Sequence, residues 1–511
     1  MLGRLKYVEA GYDLAGRCME GTRTSVLNQI TTWVINPLRD NDAPQNNTYW
    51  FYGSPGIGKT SLAHSICKNL HERKHLAGAI FCRRDDPNLS ELRNILPTLI
   101  NALAGIFPPF RNIVAYRLRN DRNLTSKSMQ DSLLLDFIRK LPRHPKHPLA
   151  FVIDALDECG DNQSRPVLLK VLAEAAAHAP WLKIIITSRP EVDIEHFFDA
   201  PHSRSSHLRY NLAADEDATS DLRTFALDRF HRVALQQHLE SPWPEPSLFD
   251  GVISRAAGLF IFIKTLALAL EDCEDPTGTL KATLQDSGGA GLTSLYGLYS
   301  SILKARILHS SSQFQRMIGV LLATAPYRSL RDETIARLAG VEPRLVRKWV
   351  SGLHSLLYRD EGVNGGIRVR HLSISDFFGS AACTYQISLQ NANMQLGIAC
   401  LKTMVRELCF NICKLEDSRR ANADIEDLAS RIKENISGAL QYSVLHWSRH
   451  VCFTPDDGDQ RMWGILEEFF EGLHPLFWIE VLSIMGVVLT GAPSLRHMIS
   501  WVKVSTTAAV S

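Results

Sequence analysis

The octapeptide Gly53-Ser54-Pro55-Gly56-Ile57-Gly58-Lys59-Thr60 constrains this chain more than any other stretch. It fits G-x-x-x-x-G-K-[ST], the pattern of a phosphate-binding loop. The run before it, TYWFY (Thr48 to Tyr52), reads as a buried strand, and SLAHSICKNL (Ser61 to Leu70) after it reads as a helix. Such a loop needs that strand–loop–helix context. Glycines let backbone N–H groups curl around an anion, and the helix N-terminus adds partial positive charge. On this reading Gly53 through Ser61 cradle phosphates. Lys59 reaches the β- and γ-phosphates, and Thr60 holds Mg²⁺ through its hydroxyl.

A second motif follows in AFVIDALDEC (Ala150 to Cys159). A buried strand ends in Asp154, then comes a small residue, a Leu and the acidic pair Asp157-Glu158. At the carboxyl edge of an α/β sheet, where ligands bind, Asp154 would order Mg²⁺, partly through water. Asp157 or Glu158 would polarise the attacking water, a task that needs an oriented proton acceptor. The third motif is KIIITSRPEVD (Lys183 to Asp193), a strand leading to Arg189, which could reach a γ-phosphate and report its presence.

The strand candidates TYWFYG, GAIFC (Gly78 to Cys82), LAFVID (Leu149 to Asp154), KIIITS (Lys183 to Ser188) and HLRYNL (His207 to Leu212) alternate with helical stretches. Several are apolar throughout rather than alternating, which predicts an α/β fold with a parallel sheet covered on both faces. The expected organisation is a lead-in over 1–47 with a helix from Thr22 to Asn36, a P-loop core over 48–212 and a helical domain over 213–290. SPWPEP (Ser241 to Pro246) reads as a loop and GGAG (Gly288 to Gly291) as a hinge. Within 291–385, LRDETIARLAG and PRLVRKWVSGL form a helix pair. LLYRD, the glycine turn at Asn364 to Gly366, and IRVRHL then suggest a hairpin: a helix-turn-helix with a wing. Residues 386–511 read as helical, rich in Leu and Trp, with no internal repeat.

Net charge is +2, so nothing demands nucleic acid or an anionic membrane. The ten cysteines form no CxxC pair, which suits a reducing compartment. Cys409 and Cys413 are expected on one helix face. No signal peptide is expected at the N-terminus. GLFIFIKTLALAL (Gly258 to Leu270) and LFWIEVLSIMGVVL (Leu476 to Leu489) are too short to span a bilayer and read as buried helices, so the expected location is cytoplasmic.

GSPGIGKTSLA, FVIDALDEC and KIIITSRPE, in this order, resemble the NACHT branch of the STAND signal-transduction NTPases, in which the acid is doubled as in Asp157-Glu158. The segments GTRTSVLNQI, FCRRDDPNLSELRNILPTLI (Phe81 to Ile100), GLFIFIKT, LQYSVLHWSRHV (Leu440 to Val451) and LFWIEVLS resemble fungal NACHT proteins, and the nephrocystin-like N-terminal family is a near relation. The resemblance covers about residues 17 to 490. It implies an AAA-like core, a helical lid and a winged-helix domain that folds back over the nucleotide. In that family a histidine of the winged helix contacts the β-phosphate of ADP, and His371 in VRHLSISDFF (Val369 to Phe378) stands at its position. The family's Gly-x-Pro segment, which touches adenine, is here Gly258-Leu259-Phe260, without the proline. No effector domain is expected before residue 17, and none of the WD, ankyrin or TPR repeats usual in fungal members is expected within these residues.

The resemblance implies a molecular switch, closed with ADP and opening or self-associating with ATP, in intracellular signalling such as fungal self/non-self recognition (heterokaryon incompatibility) or programmed cell death. Hydrolysis would at most be slow, and an effector protein is the implied partner. GTP in place of ATP stays open. One alternative is a DNA-binding regulator offering Arg344, Arg347 and Lys348, although the near-neutral charge makes nucleic acid a poor fit. A P-loop phosphotransferase is another, for which no acceptor site is evident.

Overall fold

The computed structural model describes residues 11–36, 47–120, 133–141, 143–200, 207–240, 242–285, 289–307, 311–360, 365–417, 420–453 and 460–508, with residues 5, 7 and 8. They fall into two compact units, Met1–Leu298 and Tyr299–Ser511.

The first unit is built on a parallel sheet of β1 (Thr48–Tyr52), β2 (Leu76–Phe81), β3 (Leu149–Asp154), β4 (Leu182–Ser188) and β5 (His207–Asn211). Their spatial order is β2-β3-β4-β1-β5. The register sets Phe51 beside Thr187 and Tyr210, and Ile153 beside Ile186. The continuous apolar runs split by parity. On one face Tyr49, Phe51, Val152 and Ile185 pack against α1 (Thr24–Ile35) and α2 (Lys59–Glu72). On the other, Trp50, Phe151, Ile153, Ile184 and Ile186 meet α3 (Ile95–Ile106), α4 (Pro108–Asn120), α5 (Leu133–Arg139), α6 (Ser164–His178) and α7 (Val192–Asp199). Each such fully buried side chain contributes roughly 1.5–3 kcal/mol, so a sheet covered on both sides needs apolar residues at every position. Because all strands are parallel, their carboxyl ends share one edge.

After β5 come α8 (Ala218–Gln236), α9 (Pro246–Ala256), α10 (Phe260–Glu271) and α11 (Pro276–Gln285). Left-handed Ala257 and Gly258 end α9 and turn the chain into α10, whose Phe262, Ile263, Leu266 and Leu270 are buried. The division between units falls inside α12 (Leu292–Arg306).

In the second unit, α13 (Ser311–Thr324) precedes the pair α14 (Asp332–Ala339) and α15 (Pro343–Gly352). Gly340, with φ 62°, stops α14, and Pro343 opens α15, the positions these residues favour at helix ends. The hairpin is β6 (Leu357–Arg359) against β7 (Ile367–Val369), antiparallel, followed by α16 (Leu372–Gly379). The rest is α17 (Leu389–Glu407), α18 (Leu428–Asn435), α19 (Gly438–Cys452), α20 (Gln460–Glu471), α21 (His474–Ile484) and α22 (Gly491–Ala508). Ser241, Gly288 and Asn364 lie outside the described residues.

Two expectations are corrected. Cys409 and Cys413 do not share a helix face. Helix α17 ends at Glu407, Asn411 and Lys414 are left-handed, and the Asn411 side chain closes the turn on Leu415. The second apolar run is only half buried: Trp478, Val481 and Leu482 are inside, whereas Leu476, Ile479 and Leu489 are exposed.

Candidate functional site

The loop after β1 wraps onto the N-terminus of α2. Gly56 and Gly58 have φ of 83° and 98°, a left-handed conformation that strains any side-chain-bearing residue. Lys59 Nζ donates to the carbonyls of Gly53 at 2.7 Å and Ser54 at 3.0 Å. Burial pushes the Lys59 ammonium down to about 8, opposed by the nearby Asp157 carboxylate. Ser54 and Thr60 are exposed, and Pro55 and Ser61 half-buried.

At the end of β3, Ala155 turns left-handed (φ 52°) and starts the short 3-10 helix Leu156–Glu158. That turn folds the acidic pair back toward the neighbouring strand end. Asp154 is buried, and burial raises its carboxyl to about 6, opposed by hydroxyls of Thr187 and Thr60 and by Lys59. Thr187 Oγ1 also accepts the Ala155 N–H at 3.0 Å. The structure thus brings together Thr60 and Asp154, the two residues expected to hold Mg²⁺. A hydroxyl and a carboxylate are oxygen donors suited to that ion, which takes few protein ligands and completes its shell with water and phosphate.

Asp157 and Glu158 diverge. Asp157 is buried and accepts the Arg189 N–H at 2.9 Å, with Arg189 Nε 3.4 Å from its other oxygen. Glu158 is half-buried and accepts the Arg84 N–H at 3.2 Å. Burial raises its carboxyl to about 7, and the Asp157 charge pushes the same way.

The segment Gly258-Leu259-Phe260 reaches the phosphate loop without a proline: Ile261 N donates to Gly56 O at 3.2 Å. In the second unit, His371 caps α16. Its Nδ1 accepts the Ser373 N–H at 3.2 Å and lies 2.7 Å from Ser373 Oγ. Arg344, Arg347 and Lys348 are exposed on α15, opposite buried Val346, Trp349 and Val350. Arg344 pairs with Glu342 at 2.5 Å, and Arg347 lies 4.0 Å from Glu333. Among the described residues no helix is long and apolar enough to cross a membrane.

Residues 22–189, carrying the first two motifs and the third as far as Arg189, match the family model described as Nephrocystin 3, N-terminal. That third of the chain is similar to the family and carries most of the parallel-sheet P-loop core. None of the curated proteins compared with the chain matches it. Among solved structures, the Aeropyrum pernix ORC1 protein in complex with DNA is 12% identical, covering 71% of this chain and 94% of its own, at a TM-score of 0.31. Drosophila ORC bound to poly(dA/dT) DNA and Cdc6 is 11% identical, covering 93% and 69%, at 0.29. The replication initiator DnaA bound to AMPPCP and single-stranded DNA is 11% identical, covering 91% and 95%, at 0.26. Superpositions this loose carry no functional weight.

Sequence reasoning missed four parts of this site. Thr187 steers Asp154. Arg84, just beyond β2, shares the carboxyl edge and places Nη2 3.4 Å from the Asp157 carbonyl. Arg165 donates to that carbonyl at 3.1 Å while pairing with Asp193 at 2.7 Å, so α6 and α7 grip the acidic turn. Arg23 contacts the phosphate loop from behind. The positions of Thr187 and Arg84, at strand ends on the ligand edge, signal them in the sequence. The others are brought in by tertiary folding.

Proposed function

We propose that this chain is a nucleotide-dependent switch that binds ATP or ADP with Mg²⁺ at the edge of its parallel sheet. The observation that carries the reading is the convergence of Lys59, Thr60, Asp154 and Glu158 at one edge, on a loop whose glycines adopt the conformations an anion cradle needs. The bound Mg²⁺ would neutralise phosphate charge, held by Thr60 and Asp154. Lys59 would exchange its loop carbonyls for phosphate oxygens. Glu158, its carboxyl raised to about 7 and without the ion pair that ties Asp157 to Arg189, would accept the proton of an attacking water. Asp157 would position Arg189, which would read the γ-phosphate.

The domain reading goes with it: core 48–212, lid 213–290, winged helix 291–385 and a helical region 386–511. His371 would donate to the β-phosphate of ADP and so favour a closed state, with ATP permitting opening and self-association. Because Nδ1 accepts from Ser373, the ring proton lies on Nε2, the tautomer such a bond requires. Cytoplasmic signalling through an effector protein is the corresponding biological role, supported by the resemblance to NACHT switches. The test is to denature purified protein and identify the released nucleotide. Stoichiometric ADP is expected. Absence of any nucleotide, with no ATP or ADP binding in titration, would overturn the reading.

A further inference from the structure

Arg23 is an almost fully buried arginine that none of the three motifs contains. It is left-handed, with φ 55°, at the N-cap of α1. Its backbone N–H donates to Asp221 Oδ2 at 2.9 Å, and Nη1 pairs with Asp215. Its Nε lies 4.0 Å from Asp221, and the guanidinium sits 5.5 Å from the centre of the Phe260 ring. The remaining arm, Nη2, donates to the carbonyl of Ile57 at 3.2 Å. One buried cation therefore joins the lead-in, the segment entering α8, the start of α10 and the phosphate loop.

The contact with Ile57 has a stereochemical consequence. In a trans peptide the C=O of one residue and the N–H of the next point in opposite directions. Holding Ile57 O on Arg23 turns the Gly58 N–H away from Arg23. The neighbouring peptide is held the same way, because Gly56 O accepts from Ile261 N at the head of α10. That bond turns the Ile57 N–H away from α10. Two consecutive N–H groups of the loop are thus aimed by partners behind it, one a side chain and one a helix terminus. Gly58 could not be held so by a bulkier residue, since its φ of 98° is left-handed.

We propose that Arg23 is a positioning residue for phosphate binding. With the Ile261 N–H it presets the peptide planes at 56–58, so that Ile57 N–H and Gly58 N–H form an anion nest before ligand arrives. The inference rests on the nucleotide reading above and deepens it. Because the presetting groups belong to the lead-in and the lid, displacing the lid from the loop releases the nest. Phosphate affinity then depends on lid docking.

The test compares pyrophosphate and ADP, each with Mg²⁺, with adenosine, on the full chain. Arg23→Lys keeps a cation beside Asp215 and Asp221 but loses the planar fork that serves carboxylate and carbonyl together. Pyrophosphate and ADP should each bind about tenfold or more weakly, the loss of one charge-assisted hydrogen bond. Adenosine binding, followed by ligand-observed NMR, should not change. Hydrogen exchange of the 53–61 backbone should accelerate in the variant before ligand is added. Should Arg23→Lys not fold, Arg23→Gln with Asp215→Asn removes the buried ion pair as a unit and should give the same split. Wild-type affinity for pyrophosphate in the folded variant overturns the inference alone, as does an equal loss for adenosine. A wild-type chain that binds neither pyrophosphate nor ADP overturns the nucleotide reading beneath it.

Discussion

Arg189 grips the Asp157 carboxylate twice, with its backbone N–H 2.9 Å from Oδ1 and its Nε 3.4 Å from Oδ2. The strand ends of β3 and β4 are thereby latched, and one of the two adjacent acids is neutralised. Asp157 is suited to holding an arginine, which leaves Glu158 as the acid proposed to act on water. Glu158→Gln should slow single-turnover ATP hydrolysis by on the order of 10²-fold or more while sparing nucleotide affinity. Asp157→Asn should instead weaken ATP more than ADP, by releasing Arg189. Two variants with the same phenotype would refute this division of labour.

Lys59→Ala removes the cation expected against the phosphates. A loss of about 2–5 kcal/mol in ATP and ADP binding is expected for breaking such a pair. Titration with labelled nucleotides reads it, and unchanged affinity would remove the phosphate-loop assignment.

Asp154 gives a pH test. Its carboxyl is raised to about 6 by burial, above the usual value, so the folded protein holds this proton longer than the unfolded chain. Its contribution to stability is therefore present below pH 4 and lost as pH rises through about 6. Mg²⁺ requires the ionised form, so Mg²⁺-dependent ATP affinity should climb between pH 5 and pH 7 and level off above. Asp154→Asn should flatten that climb. A Mg²⁺ dependence with no change over this range would exclude Asp154 as the ligand.

His371 caps α16 and is proposed to bind the β-phosphate, two roles that variants can separate. As an N-cap it contributes about 1 kcal/mol to α16. His371→Asn should keep the cap and lose the phosphate bond, whereas His371→Leu loses both. Both should release ADP about 10- to 150-fold faster if the imidazole closes the switch. Only His371→Leu should lower the melting temperature. Wild-type ADP off-rates in both would leave His371 a capping residue.

The second unit carries its own pH sensitivity. His450 bridges Asn393 and Tyr442 at 2.7 Å each, and Tyr327 stacks on His446. Burial holds His450 down to about 3 and His446 to about 4, so both are neutral in the fold. Folded values below the unfolded one mean stability is present above about pH 6.5 and lost as pH falls. At pH 5 the penalty is about 2 kcal/mol per histidine. Urea midpoints should therefore drop between pH 7 and pH 5, and His450→Gln should reduce the drop. A midpoint independent of pH would contradict the buried neutral pair.

The residues of β1, the loop from Gly53 to Thr60 and α2 were readable in order because each depends on local chemistry. Apolar runs predict covered strands, glycines permit left-handed turns, and Gly340 and Pro343 punctuate α14 and α15. The sequence by itself also placed Asp154 at a strand end, since the apolar run stops there. Tertiary structure alone decided what those groups do to one another. The latch between Asp157 and Arg189 spans 32 residues, and Arg23 meets Asp215 across 192. Such contacts leave no periodic trace, because they depend on strand order and on which helix ends converge. The run after His474 is half exposed despite its hydrophobicity for the same reason: hydrophobicity measures what a side chain prefers, and only packing determines whether a neighbour is there to cover it.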